Sequence, residues 1–183
     1  MKNITLKDYR LLTTDEHQNL LAIRNQEMIR KVSLTQDMIA LDKHLLWVDG
    51  LKNDTTKKYF AIIHNNKIIG GINIFDIETK IKWGIFFDDE VSLILKSVIP
   101  IYFIDFIFGE FGCNTIYAEI KQENINAVSY NKNLGFEMLE DGDIITMQLK
   151  EDAYTKAKES FLLKKIVKKI ELYDFKIKRY DEN

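Results

Sequence analysis

The run from Asp88 to Phe111, DDEVSLILKSVIPIYFIDFIFGEF, constrains the fold more than any other part of the 183-residue chain. Between Val91 and Phe108, 13 of 18 residues are apolar, so the segment has no polar stripe to turn to water. A membrane span requires about 20 predominantly apolar residues without charges. Lys96 and Asp105 interrupt this one, and the only proline of the chain, Pro100, lies between them. Each such charge costs roughly 2.5–3.5 kcal/mol at mid-bilayer. The segment therefore reads as a helix buried on most of its surface inside a protein core, with Pro100 tolerated if it falls in the first turn, where a missing N–H is harmless.

Such a helix needs a domain large enough to wrap it. With 46% hydrophobic and 30% charged residues, the chain has the make-up of one soluble globular domain. The net charge of −2 gives no reason to expect a nucleic-acid partner, although residues 150–183 carry 10 Lys/Arg against 7 Asp/Glu. Cys113 is alone, which excludes an intrachain disulfide, and beside three histidines it offers no zinc-ligand spacing. The N-terminal MKNITLKDYRLL lacks the apolar run of a secretory signal. The expectation is a cytoplasmic chain with no membrane span and no metal.

Hydrophobic periodicity places the other elements. ITLKDYRLL can start a strand, and Thr13-x-x-Glu16 is a capping-box pattern that begins a helix near residue 14. Leu41, Leu45, Val48 and Leu51 mark one face of a second helix. KKYFAIIHNNKIIGGINIFDI reads as two strands about a turn at Asn65-Asn66, with Gly70-Gly71 as a bulge or a close backbone approach. IKWGIFF is a third strand, followed by the apolar helix, NTIYAEI as a strand, NINAVSYNKNLG as a helix, and FEML and IITMQL as strands. A stripe of Phe161, Leu162, Ile166, Val167, Ile170 and Tyr173 makes 152–173 one C-terminal helix. The order β-α-α-β-β-β-α-β-α-β-β plus that helix implies an α/β (α+β) mixed sheet with helices on its faces. Residues 1–150 form the main domain, and 151–183 form a helical extension packed on it or on a partner.

The most informative run is YAEIKQENINAVSYNKNLGFEMLED. Asn124 suits a helix N-cap and Gly135 the turn that ends the helix. Ala127 and Val128 fit a core face, while Tyr130 carries a phenol that needs a partner if buried. Over about residues 1–150 the chain resembles the GNAT superfamily of N-acetyltransferases, whose signature has an Asn cap, a small residue, a Tyr and a Gly-Phe step. Asn124, Ala127, Tyr130 and Gly135-Phe136 occupy these places. Within the superfamily, Arg24-Asn25, His44 and Tyr59-Phe60 resemble the amino-sugar N-acetyltransferases of pseudaminic acid biosynthesis, which acetylate the 4-amino group of a UDP-linked dideoxy sugar. Relatives that act on ribosomal-protein N-termini share the Arg-Asn pair.

The resemblance implies acetyl-CoA as acetyl donor and a UDP-amino-sugar as acceptor, in a monomer or homodimer. Transfer from a thioester requires a neutral amine, a donor for the oxyanion and a proton for the departing thiolate. By resemblance, the strand ending Ile85-Phe86-Phe87 bonds the pantetheine, Tyr130 is the general acid, and Glu119 is the base. Arg24, Asn25 and His44 would hold the substrate, and a guanidinium suits phosphate geometry. Trp47 and Trp83 either stack on uracil or pack in the core.

One segment departs from the family pattern. The superfamily follows its third strand with a basic, glycine-containing loop that cradles pyrophosphate at a helix N-terminus. Here that place reads DDEVSLILKSV, with Asp88, Asp89 and Glu90 and no glycine. Lys96 and Ser97 remain as phosphate contacts, beside the Asn124 cap. Two other readings stay open: the same chemistry on a peptide or another small amine, and a non-catalytic module that keeps the fold for binding.

Overall fold

The computed structural model describes residues 2–182. Strand β1 (Lys2–Asp8) is followed by helices α1 (Thr14–Arg24), α2 (Glu27–Val32) and α3 (Leu41–Gly50). Strands β2 (Lys58–His64), β3 (Lys67–Phe75) and β4 (Lys82–Phe87) form an antiparallel meander. Next come α4 (Leu93–Phe111), β5 (Thr115–Lys121), α5 (Ile125–Asn133), β6 (Glu137–Glu140) and β7 (Ile144–Lys150). The chain finishes with α6 (Glu151–Lys158), α7 (Phe161–Ile170) and β8 (Tyr173–Lys178). The strands lie in one mixed sheet in the order β6-β7-β5-β4-β3-β2-β1-β8.

Local signals account for several of these elements. Thr13 and Glu16 close the capping box: Glu16 N donates to Thr13 Oγ1 at 3.3 Å and Thr13 N donates to Glu16 Oε2 at 2.8 Å. Asn65 and Asn66 take φ of 50° and 62°, which lets a two-residue turn join β2 to β3. Gly135 has φ of 99° and ends the turn after α5.

The two faces of the sheet carry different layers. On one, Leu20 and Ile23 of α1, Ile29 of α2 and Val48 of α3 cover Ala61 and Ile68. On the other, α4 buries Val98, Ile99, Ile101, Phe103, Ile104 and Ile107 against Phe60, Ile62, Ile72 and Ile74. The alternation of Phe60, Ala61 and Ile62 between these clusters is the period-two signature of a strand covered on both faces. The helix expected from the apolar run is thus the main core element. No helix among the described residues is long and apolar enough to cross a membrane.

Three expectations need correction. Pro100 is the eighth residue of α4, not in its first turn, because Ser92 caps the helix and starts it at Leu93. Without an N–H at position 100, the Lys96 carbonyl loses its intrahelical donor, and the burial of both flanks of α4 outweighs that loss. The short helix α2 was not legible in the sequence. The C-terminal segment is two helices and a strand. Ser160 restarts the helix by accepting from Leu163 N at 3.3 Å, and the apolar stripe keeps its phase across the break. β8 then pairs parallel to β1 from Lys2↔Tyr173 to Lys7↔Lys178. After it, Asp181 pairs with Lys58 at 3.0 Å and with Arg10 at 3.3 Å.

Candidate active site

β4 and β5 run parallel but are joined only at Lys82↔Tyr117. Beyond that bridge their C-terminal ends diverge, leaving backbone groups of each strand unpaired along a gap. A cleft of about 890 Å3 runs through the gap and reaches both faces of the sheet. Side-chain alternation divides its walls. Trp83, Ile85 and Phe87 face the α4 layer with Ala118 and Ile120, whereas Phe86 faces the α1 layer with Tyr59. Ile85, Phe86 and Phe87 therefore all line the cleft, as the sequence suggested.

The α1 side is an aromatic wall. Tyr9, His44, Trp47 and Tyr59 line it, with centroid separations of 4.8 Å for Trp47–Tyr59, 5.6 Å for His44–Trp47 and 5.7 Å for Tyr9–Tyr59. Tyr9 reaches this wall because residue 71 is glycine: a Cβ there would stand 2.5 Å from the Tyr9 hydroxyl and 2.6 Å from the Phe86 ring. His44 Nε2 and His17 Nδ1 share one hydrogen bond of 3.0 Å in the interior. Burial keeps the pair neutral, lowering the pKa of His17 and pushing that of His44 down to about 4. Trp47 is 40% exposed at the rim, so its ring is open to a ligand. Trp83 is buried instead and stacks on Phe136.

Arg24 lies among these rings. Its Nη2 donates to Thr35 O at 3.0 Å, while Nη1 is buried with no partner. Burial works against its charge, and among the described residues no carboxylate pairs with it. A buried group left this way costs about 1–3 kcal/mol, more when charged, and a ligand anion would recover that cost. Lys43 adds positive charge to the same cleft, and Lys57 lines it while paired with Asp54 at 3.2 Å. Asn25, by contrast, does not line the cleft. Its Nδ2 donates to Ile39 O and its Oδ1 accepts from Ile39 N, both at 2.9 Å, so its side chain closes the loop after α2.

Glu119 lines the cleft from β5, with Lys82 Nζ at 2.7 Å. Lys82 is also 3.3 Å from Asp76, and its pKa is raised chiefly by the hydrogen bond to Glu119.

On the α5 side, Asn124 accepts from Ala127 N at 3.1 Å and caps the helix. Asn124, Ala127 and Asn131, spaced three and four apart, share one helical face, and all three line the cleft. Tyr130 falls on the neighbouring face. It packs on the main core, its hydroxyl is buried without a partner, and burial raises its pKa. The cleft wall thus receives the Asn131 carboxamide, where the sequence reading placed the phenol of Tyr130. Asn131 was not singled out because an Asn inside a helix gives no signal distinct from surface polarity.

At the start of α4, Lys96 lines the cleft, but its Nζ donates to Asp89 O at 3.1 Å. Ser97 Oγ donates to Leu93 O at 2.7 Å and is turned away. Asp88, Asp89 and Glu90 line an adjoining groove. Among the described residues no group of His, Cys, Asp or Glu could hold a metal ion.

No protein-family model matches the chain. It is 29% identical over 135 residues to acetyltransferase PseH of Campylobacter jejuni strain 81-176, spanning 71% of this chain and 83% of that one. A second C. jejuni PseH, of strain NCTC 11168, is 32% identical over 77 residues, 42% of this chain and 48% of that one. The crystal structure of C. jejuni N-acetyltransferase PseH in complex with acetyl coenzyme A superposes with a TM-score of 0.66 at 24% identity, covering 81% of this chain and 99% of that one. Spermidine N-acetyltransferase from Vibrio cholerae, in complex with CoA and spermine, gives a TM-score of 0.72 at 17% identity, over 83% and 98%. The fold is the one the sequence resemblance implied, and the likeness in sequence is to PseH.

Proposed function

We propose that the protein is an acetyl-CoA-dependent N-acetyltransferase whose acceptor is the 4-amino group of a UDP-linked amino-dideoxy sugar, in a pathway of the pseudaminic acid type. The observation that carries this reading is the cleft through the β4/β5 gap, open on both faces of the sheet, with the Arg24 guanidinium on one side, its Nη1 buried without a partner. The resemblance to PseH supports the same assignment.

The residues fit a pantetheine arm on the α5 side. Past Lys82 the edge of β4 offers free backbone N–H and C=O groups, and Ile85 and Phe87 supply apolar walls. When bound, the donor supplies an acetyl group activated as a thioester. On the α1 side Arg24 binds the diphosphate, and His44 and Trp47 hold the nucleotide sugar. Glu119, 2.7 Å from Lys82 Nζ, takes the proton of the acceptor amine through water. The cations of the α1 side favour an anionic acceptor over a polyamine, which they would repel.

Titration calorimetry with acetyl-CoA is the first test; absence of binding at millimolar ligand removes the reading. Acetylation assays with UDP-4-amino-sugars, polyamines and peptides then rank the acceptors, and a polyamine or peptide preference overturns the sugar assignment. Tyr130→Phe addresses the general acid. A phenol that protonates the leaving thiolate requires a loss of about tenfold or more in kcat. The core placement of Tyr130 instead predicts turnover within about twofold of wild type and no loss of thermal stability, because the lost hydroxyl was buried without a partner.

A further inference from the structure

Three side chains that line the cleft carry a buried polar atom without a protein partner: Arg24 Nη1, Trp83 Nε1 and Asn131 Oδ1. Arg24 belongs to the acceptor side already described. Trp83 and Asn131 lie on the α5 side, each only 5% exposed. Both contact Phe136, whose ring stacks on Trp83 with centroids 6.1 Å apart and whose N donates to the Asn131 backbone O at 3.0 Å.

Their chemistry is complementary. An indole N–H only donates. The Asn131 carboxamide is fixed in orientation, because its Nδ2 donates at 2.8 Å to the Ala127 carbonyl, which can only accept. The free atom is therefore Oδ1, an acceptor. One donor and one acceptor on the same cleft wall match the C=O and N–H of a secondary amide held between them, since those two groups point in opposite directions.

We propose that Trp83 and Asn131 together bind one secondary amide of the pantetheine arm, Trp83 Nε1–H donating to its carbonyl and Asn131 Oδ1 accepting from its N–H. The pair rests on the coenzyme A reading above and assigns two side chains to it. It gives the donor an anchor at its amide end, where the acids at the start of α4 offer its phosphates little. It also makes the cleft-facing residue of α5 one that holds the donor, since a carboxamide has no proton to deliver to a departing thiolate.

The test is titration calorimetry of the full chain with acetyl-CoA and with pantetheine alone, comparing wild type, Asn131→Leu, Trp83→Phe and the double variant. Each single change should weaken both ligands by about fivefold to tenfold, the size of one lost hydrogen bond. The double variant should lose less than the product of the two, because both bonds serve one amide. Circular dichroism checks each fold. If Asn131→Leu does not fold, Asn131→Ala replaces it, together with an ester analogue of pantetheine that lacks the amide N–H and should bind wild type more weakly. Single variants that bind within twofold of wild type, losses that multiply independently, or equal binding of the ester analogue overturn the pair. Wild type that binds no acetyl-CoA removes the coenzyme reading itself, a failure distinct from these.

Discussion

The two sides of the cleft are built in opposite ways. The α5 side comes from one continuous stretch, β5 through α5, facing the edge of β4. The α1 side gathers Tyr9, Arg24, His44 with Trp47, and Tyr59 from four separate places in the first third of the chain. Their electrostatics differ as well. The α1 side holds a guanidinium whose buried Nη1 has no partner and a neutral histidine pair, whereas the mouth nearest α4 carries three acids and a lysine tied to Asp89 O. The contrast places anion recognition with the acceptor, and leaves the donor to be held by backbone and amide contacts.

Replacing Arg24 by Met breaks that contrast most directly. Losing a charged hydrogen bond to phosphate costs about 1.5–3 kcal/mol, so KM for the nucleotide sugar should rise by about 10- to 100-fold. Stability should fall by no more than about 0.5–1.5 kcal/mol, because the only intramolecular bond removed is the one to Thr35 O. Steady-state kinetics against both substrates checks this; an equal rise in KM for acetyl-CoA would place Arg24 on the other side.

The histidine pair gives the next effect. In the fold His44 is pushed down to about 4 from 6.5, so below pH 6.5 the unfolded chain binds a proton that the folded chain refuses. Stability is then complete above that pH and is lost as pH falls toward 4. At 1.36 kcal/mol per unit the loss is about 2 kcal/mol at pH 5, a fall in Tm of about 4–8 °C for a chain of this size. Thermal melts at pH 7 and pH 5 measure it. His44→Phe should flatten the dependence, and an unchanged slope would assign the proton elsewhere.

The smallest effect belongs to the donor mouth. Neutralising Asp88, Asp89 and Glu90 together as Asn, Asn and Gln should tighten acetyl-CoA by about threefold to tenfold at low salt and less at high salt, since exposed charges are screened. Calorimetry at two ionic strengths reads this directly. Weaker binding would mean that the acids help to hold the donor.

Much of the fold was legible because its signals are local. The Thr13–Glu16 box, the Asn65-Asn66 turn and the Asn124 cap act within four residues, and each stands where the sequence placed it. The apolar run gave the core helix for the same reason. The break at Ser160 and the strand Tyr173–Lys178 were not legible, because a stripe that keeps its phase looks continuous and a six-residue strand is stabilised only by β1 beside it. In the site, Arg24, His44, Glu119 and Ile85–Phe87 were placed in the cleft. Asn25 and Ser97 were not, since each satisfies its side chain on nearby backbone instead.

By itself the sequence determined most element types, the buried central helix and a helix capped by Asn124; in each case neighbours along the chain supply the physics. Only the tertiary structure decided which face of that helix meets the cleft. A step of one residue turns a helix by about 100°, enough to send the Tyr130 hydroxyl into the core and bring Asn131 to the wall. It also decided the α1 side, where Gly71 leaves room for Tyr9 and where burial, not residue type, leaves Arg24 unpaired.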